Sequence, residues 1–243
     1  MFILALPLAL LLSGDSTAPK APPPKSPVIK FTGDVGYVST GGNTSVQTLN
    51  LGDKVSAKFS KVTLSEEFAV VQGRSDGVAV ASNWTALVRS DFALRQTVAA
   101  YAAETFERNV FAGLASRMGT TAGLAAQVVK TSHDKLAVEG GVSYTAQRGV
   151  SVTGDNEDFF GGRAATAYTH QLGPRASIAQ TVELLPNFRQ GADLRINSES
   201  DLLAPLAKRV AMKLSYVIHY DGVPQPGYLS TDRLFTSGIQ VTL

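Results

Sequence analysis

The chain of 243 residues is 44% hydrophobic and 8% aromatic, contains no cysteine, and carries a formal net charge of +2. After the first dozen residues, no apolar run reaches the roughly 18 residues that a membrane-spanning helix requires, which excludes a helical membrane protein. The small net charge gives no reason to expect nucleic acid as a partner.

The N-terminal segment has the pattern of a leader that precedes the folded part. Residues 2–12 form a continuous apolar run followed by small and polar residues, as in a secretory signal peptide. A buried helix is the alternative for a run of this length. Residues 18–27 are rich in proline and predict an extended spacer. We therefore expect a signal peptide at residues 1–18 and a Pro-rich leader at 19–29, ahead of a folded domain at 30–243.

From residue 31 onward, apolar and polar residues alternate in a series of segments. In residues 209–220, Val210 and Met212 share one face and Lys213 and Ser215 the other, and this alternation predicts a strand with one apolar face. An even number of about twelve such strands, most of them longer than globular strands, predicts an all-β fold: a transmembrane antiparallel up-and-down β-barrel. We therefore expect residues 30–243 to form an outer-membrane β-barrel and residues 19–29 to form a periplasmic leader to it. The predicted strands are residues 31–38, 45–59, 62–72, 81–94, 97–105, 113–129, 135–147, 158–171, 176–185, 193–205, 209–220 and 229–243.

Charged residues of both signs recur on the polar faces of these strands. In a soluble sandwich such faces meet water, and the apolar faces form the core. In a membrane barrel they point into the lumen, where pairing is expected because a lone charge is costly. The balance of signs favours the barrel, although Asp53 and Glu66 fall on the apolar face and suggest a β-bulge or a position near the water interface. The predicted lumen-lining residues are Lys54, Arg89, Asp91, Glu104, Arg117, Glu139, Arg163, Glu183, Arg195, Glu199 and Lys213.

The last strand alternates up to the C-terminus, with Ile239 on its apolar face. A closed barrel requires this strand to pair with the first. The ending also resembles the terminal signal that bacterial barrel-assembly machinery reads, which is a polar residue, a glycine and then two apolar residues. We assign this signal to Thr236, Gly238, Val241 and Leu243, and we expect the machinery as a partner.

The connections between the predicted strands are alternately short and longer. If the first strand rises from the periplasm, the short connections, such as 60–61 and 95–96, are periplasmic turns. The longer ones, including 73–80, 106–112 and 221–228, are outer loops, as this architecture requires. We expect these loops to be too short for a folded lid.

The sequence offers little for catalysis or cofactor binding. His133, His170 and His219 are too scattered for zinc, which needs three or four ligands. Only His219 and Asp221, on one face near an outer loop, suit a base and its orienting carboxylate. A glycine-rich phosphate loop that opens onto a helix has no counterpart. We therefore predict no catalytic residues, no metal site and no cofactor.

Charged residues near the outer end predict contacts with the membrane surface. Residues 155–158 form an acidic loop tip that a divalent cation could bridge to lipopolysaccharide, although the irregular ligand spacing fits a solvated loop better. Arg148, Arg189 and Arg195 suit the phosphates of lipid A, because arginine binds phosphate through two hydrogen bonds. Ordinary surface charge is the equal alternative for these three residues. Outer-membrane lipids and lipopolysaccharide are thus expected partners, and the oligomeric state stays open.

Several short segments together resemble one known family. They are Thr40-Gly-Gly-Asn-Thr-Ser45, Leu49-Asn-Leu-Gly52, Glu107-Arg-Asn-Val-Phe-Ala-Gly113, Val138-Glu-Gly-Gly-Val-Ser-Tyr144, Asp193-Leu-Arg-Ile-Asn-Ser-Glu199 and Lys213-Leu-Ser-Tyr216. Over residues 31–243 the chain resembles the salt-induced outer-membrane protein family, which is domain-of-unknown-function family 481. The resemblance implies an outer-membrane β-barrel in a Gram-negative bacterium and brings no catalytic residues.

These observations favour an outer-membrane protein without enzymatic activity. The preferred interpretation is a narrow, porin-like channel for small polar solutes, or an envelope-integrity protein if side chains plug the lumen. The first alternative is an outer-membrane barrel enzyme of lipase or protease type that uses His219 and Asp221. The second is a secreted soluble β-barrel or sandwich that binds a ligand.

Overall fold

The computed structural model describes residues 27–40, 46–150, 156–174 and 176–243, and within these ranges the chain forms twelve β-strands. The predicted signal peptide, most of the leader, the turn after Thr40 and the start of the acidic loop lie outside the described residues. The strands are β1 (Val28–Thr40), β2 (Val46–Phe59), β3 (Val62–Ser75), β4 (Val78–Ala93), β5 (Val98–Asn109), β6 (Leu114–Lys130), β7 (Asp134–Gly149), β8 (Glu157–Gln171), β9 (Ser177–Pro186), β10 (Leu194–Pro205), β11 (Val210–Asp221) and β12 (Thr231–Thr242).

The strands close into a single barrel. Each strand pairs antiparallel with its neighbours in sequence, and β12 returns to pair with β1. At the closure Thr32 lies opposite Thr242. Phe31 and Leu243 exchange two backbone hydrogen bonds of 3.2 and 2.9 Å. The predicted fold, a transmembrane up-and-down barrel in which the last strand meets the first, is confirmed.

The barrel wall has an apolar outer face and a polar inner face, which is the reverse of a soluble protein. Large apolar side chains are exposed on the outer face, among them Trp84, Val88 and Phe92 at 37%, 56% and 48%. Many of the buried side chains are polar, such as Thr145 and Gln147. A molecule of this kind requires an apolar solvent outside, which the acyl chains of a bilayer supply. The soluble alternative does not fit, because a soluble barrel or sandwich keeps its apolar faces inside.

One predicted loop is a tight hairpin. The sequence predicts a loop at 73–80, but β3 continues to Ser75 and β4 begins at Val78. The two residues between them, Asp76 and Gly77, have φ values of 49° and 80°, and positive φ at both central positions defines a type I′ turn. The polar residues before the turn therefore pair in the ladder instead of forming a loop.

The connection from β5 to β6 contains a short 3-10 segment, Val110–Ala112. The side chain of Asn109 accepts a hydrogen bond from the Ala112 amide at 3.2 Å and so caps it. In the part of the chain that the structure describes, no helix has the length and apolar character needed to cross a membrane.

The register is unbroken at Asp53 and Glu66, where the sequence suggests a bulge. Asp53 pairs with Phe68 and Glu66 with Val55, so both carboxyl groups stay on the outer face. There they lie close to each other on adjacent strands. Both carboxyl groups are thus accommodated on the outer face without any distortion of the strand.

Candidate functional site

The barrel encloses a cavity of about 800 Å³. Each of the twelve described strands contributes lining residues, so the cavity is central and does not lie to one side of the wall. The lining extends from Arg89 and Lys213 at mid-barrel to Pro224 and Leu229 in the connection between β11 and β12.

A network of arginine and carboxylate side chains occupies one side of the cavity at mid-barrel. Glu139 on β7 accepts hydrogen bonds from Arg89 on β4 at 2.9 Å and from Arg163 on β8 at 2.5 Å. Arg89 also donates to Asp91 at 2.9 Å, and Arg163 donates to Glu183 at 2.6 Å. Because β4 and β7 are not neighbours in the sheet, Arg89 and Glu139 can meet only through the interior. These side chains therefore face the lumen and neutralise one another.

Tyr101 on β5 lies at the centre of this network and is only 4% exposed. Its hydroxyl accepts a hydrogen bond from Arg163 at 2.9 Å, and the Arg89 guanidinium lies 4.3 Å from its ring centroid, a cation–π distance. The tyrosine thus connects two arginines from different strands. Together these side chains narrow the barrel from one side.

The opposite wall carries charges that pair with adjacent strands. Lys213 on β11 lies 3.4 Å from Glu199 and 3.3 Å from Asp201, both on β10. Gln240 on β12 donates to Asp34 on β1 at 2.9 Å. The cavity is lined by this wall and by the central network, so a solute inside it would meet charged and hydrogen-bonding groups on both sides.

A second charged layer lies nearer the end with the longer loops. Arg117 on β6 donates to Gln147 at 3.0 Å and to Glu107 at 3.4 Å, which belong to the two adjacent strands. It also donates at 3.1 Å to Asp221 on β11, a strand that is not adjacent to β6. Arg117 therefore reaches across the cavity, and carboxylates on both sides balance its charge.

Arg195 on β10 differs from the other lumenal arginines. It is only 8% exposed, and its guanidinium donates one hydrogen bond, to Thr145 at 2.9 Å. The Phe159 ring centroid lies 5.6 Å away. Within the described residues no carboxylate forms an ion pair with Arg195, and its buried Nε has no acceptor. The carboxylates of Asp193, Asp221 and Glu107 act on it only from beyond ion-pair distance, and Arg117 repels it. The fold thus holds a largely desolvated charge that no carboxylate contacts beside the cavity.

The connection between β11 and β12 folds inward over this end of the barrel. Pro224, Gln225 and Leu229 line the cavity, and Gln225 is 7% exposed. Gly113 makes room for this loop, because at its φ of 76° a Cβ atom would lie 2.5 Å from the Tyr228 ring. The sequence suggests that the outer loops are too short for a lid. This loop nevertheless covers part of the mouth, because it turns inward.

The structure places all but one of the predicted lumen-lining residues on the inward face. Glu104 pairs with Val88 and Thr120, on the face opposite Tyr101 and Ala103. It therefore points outward, which corrects its assignment to the lumen. The inward-facing members of the predicted set are Lys54, Arg89, Asp91, Arg117, Glu139, Arg163, Glu183, Arg195, Glu199 and Lys213.

Several interior residues were missed by the sequence reasoning. Tyr101, Glu107 and Asp201 face inward, where they contact the arginines and Lys213. Asp221, which the sequence suggests only as a partner of His219, also faces inward and contacts Arg117. The alternation of side chains along a strand could have identified the carboxylates as inward-facing. Asp201, for example, follows Glu199 by two residues and therefore lies on the same face.

His219 does not form the catalytic pair that the sequence suggests. Its Nδ1 lies 2.9 Å from the Oδ1 atom of Asn197. The Asp221 carboxylate instead accepts hydrogen bonds from Arg117 at 3.1 Å and from the Val223 amide at 3.0 Å. The base and its orienting carboxylate are thus engaged by other residues.

The other two histidines lie at the end of the barrel with the short turns. His133 Nδ1 is 2.9 Å from the Ser132 hydroxyl, and His170 Nδ1 is 2.8 Å from Asp134, which also accepts a hydrogen bond from Tyr168 at 2.7 Å. Among the described residues, no three His, Asp or Glu side chains are grouped so that they could hold a metal ion.

The three arginines assigned to lipid A phosphates lie on different sides of the wall. Arg148 forms an ion pair with Asp158 at 2.6 Å on the outer face. Arg189 donates to the Asp158 carbonyl at 3.0 Å nearby. Arg195 faces the interior and so cannot reach lipid A, which corrects that part of the assignment.

A family model described as "Protein of unknown function, DUF481" matches residues 33–243. The chain belongs to this family. The DUF481 match covers nearly the whole barrel and agrees with the resemblance of the short segments. No curated protein matches this DUF481 chain.

The fold of the DUF481 protein is similar to those of solved membrane barrels. A NanC porin is 12% identical with a TM-score of 0.52, and the match covers 87% of this chain and 100% of the porin. The translocator domain of the autotransporter NalP from Neisseria meningitidis is 14% identical with a TM-score of 0.47, covering 89% and 87%. A KdgM porin is 11% identical with a TM-score of 0.44, covering 88% and 98%. At these identities the likeness to the NanC porin shows the fold alone.

Proposed function

We propose that this DUF481 protein is a narrow outer-membrane channel for small polar solutes. The observation that carries the proposal is the central cavity of about 800 Å³, which all twelve described strands line. This volume lies within the roughly 300–1,000 Å³ that small-molecule sites occupy. Twelve strands are also intermediate between small barrels filled by side chains and wide porins.

The charged interior supports a selective passage. Tyr101 and the arginines around it narrow one side, while Lys213 and Asp34 line the other. Because most of these charges are paired, the net electrostatic field inside the barrel is weak and attracts neither cations nor anions strongly. Polar solutes would therefore be discriminated by local charged and hydrogen-bonding groups along the lining.

The outer membrane is the location that this architecture supports. If the short turns lie in the periplasm, β12 also ends on the periplasmic side. There the barrel-assembly machinery would read the signal at Thr236, Gly238, Val241 and Leu243. Arg148 and Arg189 then lie at the outer end, where they would meet lipopolysaccharide. Detergent, and not buffer alone, should be needed to extract the protein from cells, and its gel mobility should change on heating.

Planar-bilayer recordings of the purified full-length protein test the channel. We expect steady ion current, and we expect Lys213→Met to shift the permeability ratio towards cations because it removes a positive charge from the lumen. Arg148→Met is the matched control, since it removes a positive charge from the outer face. An absence of current at every voltage would exclude the channel and favour an envelope-integrity protein with a plugged lumen.

A further inference from the structure

Arg195 occupies a position that is costly for the fold. A buried charge that contacts no counter-ion directly is destabilising, and an apolar residue of similar size is often neutral or better there. Only Nη2 of its guanidinium has an acceptor among the described residues, and that acceptor is the neutral hydroxyl of Thr145. By contrast, Arg89, Arg117 and Arg163 each have carboxylate partners. This difference indicates that something other than folding requires a cation at position 195.

The surroundings of Arg195 suit a ligand. It lines the outer half of the cavity, below Pro224 and Gln225 of the inward-folded loop. The Phe159 ring lies along one side of the guanidinium, so nearby water is partly excluded. Charge-assisted hydrogen bonds are stronger in such a setting than in open solvent.

We propose that Arg195 binds the oxyanion group, a carboxylate or a phosphate, of a solute that enters the outer half of the cavity. The anion supplies the acceptor and the counter-charge in direct contact that Arg195 lacks, because a guanidinium matches either group through two parallel hydrogen bonds. The proposal rests on the channel function, since it names the chemical class of the solute that the cavity admits.

Binding to the full-length protein in detergent tests this site without requiring any ion current. The probes are glucuronate, glucose 6-phosphate and glucose, which share one ring and differ in the group at its end. At low ionic strength, where screening is weak, calorimetric titration should show binding of at least one anionic sugar and none of glucose. Arg195→Met should weaken that binding about tenfold or more, as expected for the loss of charge-assisted hydrogen bonds.

Two further variants identify the cause of any loss. Arg148→Met removes a positive charge from the same end but outside the barrel, and it should leave binding unchanged. Arg195→Lys retains the charge but not the planar fork, and it should bind with intermediate affinity. Arg195→Met should unfold in urea at the same or a higher concentration than the wild type, because it removes an unpaired buried charge.

The result that would overturn the proposal is equal binding of the anionic sugars by the wild type and Arg195→Met, or no binding by either. A clear loss of stability in Arg195→Met without a binding difference would likewise show that the arginine serves the fold. Anion binding without ion current would retain the site and reject the channel. Current without anion binding would retain the channel and reject the site.

Discussion

Glu139 is the acceptor on which the central network depends. It takes hydrogen bonds from Arg89 and from Arg163, on strands to either side of it, and its side chain is 18% exposed. Loss of its charge would leave the two guanidinium groups close together, and among the described residues Asp91 and Glu183 would remain to balance them. One carboxylate therefore holds together contacts that span β4 to β8.

Glu139→Gln keeps the shape of the side chain and removes its charge. We expect it to reduce the free energy of unfolding by about 3 kcal/mol, the lower end of the cost of breaking a buried ion pair. Urea titration of the protein refolded in lipid vesicles would measure the change.

Glu67→Gln provides the comparison. Glu67 pairs with Lys54, and these side chains are 42% and 56% exposed, so its loss should cost less than about 1 kcal/mol, as for exposed ion pairs. Equal losses in the two variants would show that the Glu139 network has no special role in stability.

Strand parity predicted most of the interior charges because alternation is strict in a pleated wall. It failed at Glu104, which the structure places outside. Between residues 97 and 105 few side chains are strongly polar, so the sequence gives almost no information about which face is inward. The strand register shows which face is inward, because Ala103 lies beside the inward-facing Arg89 and Glu104 beside the outward-facing Val88. Tyr101 was missed for the same reason.

Among the strand pairs, the closure between β1 and β12 is short. Residues 32–35 of β1 have register partners on β12, whereas all of Val28–Thr40 pairs with β2. Gly238 lies at this closure, where an added Cβ atom would be 2.3 Å from the Val35 carbonyl oxygen. The glycine therefore allows the two strands to approach, independently of any role in the assembly signal.

Gly238→Ala should weaken the closure because the new methyl group meets backbone. We expect a loss of roughly 1–3 kcal/mol, typical of overpacking, and a smaller fraction of protein with heat-modifiable mobility after refolding in vitro. Refolding without the assembly machinery separates this steric effect from signal recognition. Gly140→Ala is the control, since nothing lies within 4 Å of its added Cβ, and an equal defect there would contradict the steric explanation.

At the scale of whole elements, the sequence predicted the number of strands and the closure but misplaced some ends. Strand ends that extend beyond the bilayer need not be apolar, so their residues look like loop residues. The hairpin at Asp76 and Gly77 shows this. The inward fold of residues 222–230 was also beyond prediction, because it depends on contacts with Gly113 in a loop distant in sequence.

The molecule as a whole requires an apolar solvent around its outer face. The outer face exposes apolar residues such as Val88, Phe160 and Phe235, the last two at 66% each, while the interior is polar and paired. The fold class followed from sequence because this inside-out pattern repeats in most of the strands. The contents of the lumen depend instead on contacts between strands that are distant in sequence.

The position of Trp84 allows the apolar outer face to be detected by fluorescence. The protein contains one tryptophan, and it lies on the outer face. Its emission should shift to shorter wavelength when the barrel inserts, and lipids with brominated chains should quench it, whereas iodide in the buffer should not. Moving the indole inside, with Trp84→Phe and Phe159→Trp together, should abolish quenching by the bromines. The native chain thus carries an intrinsic optical probe of membrane insertion, and its refolding can be followed without a label.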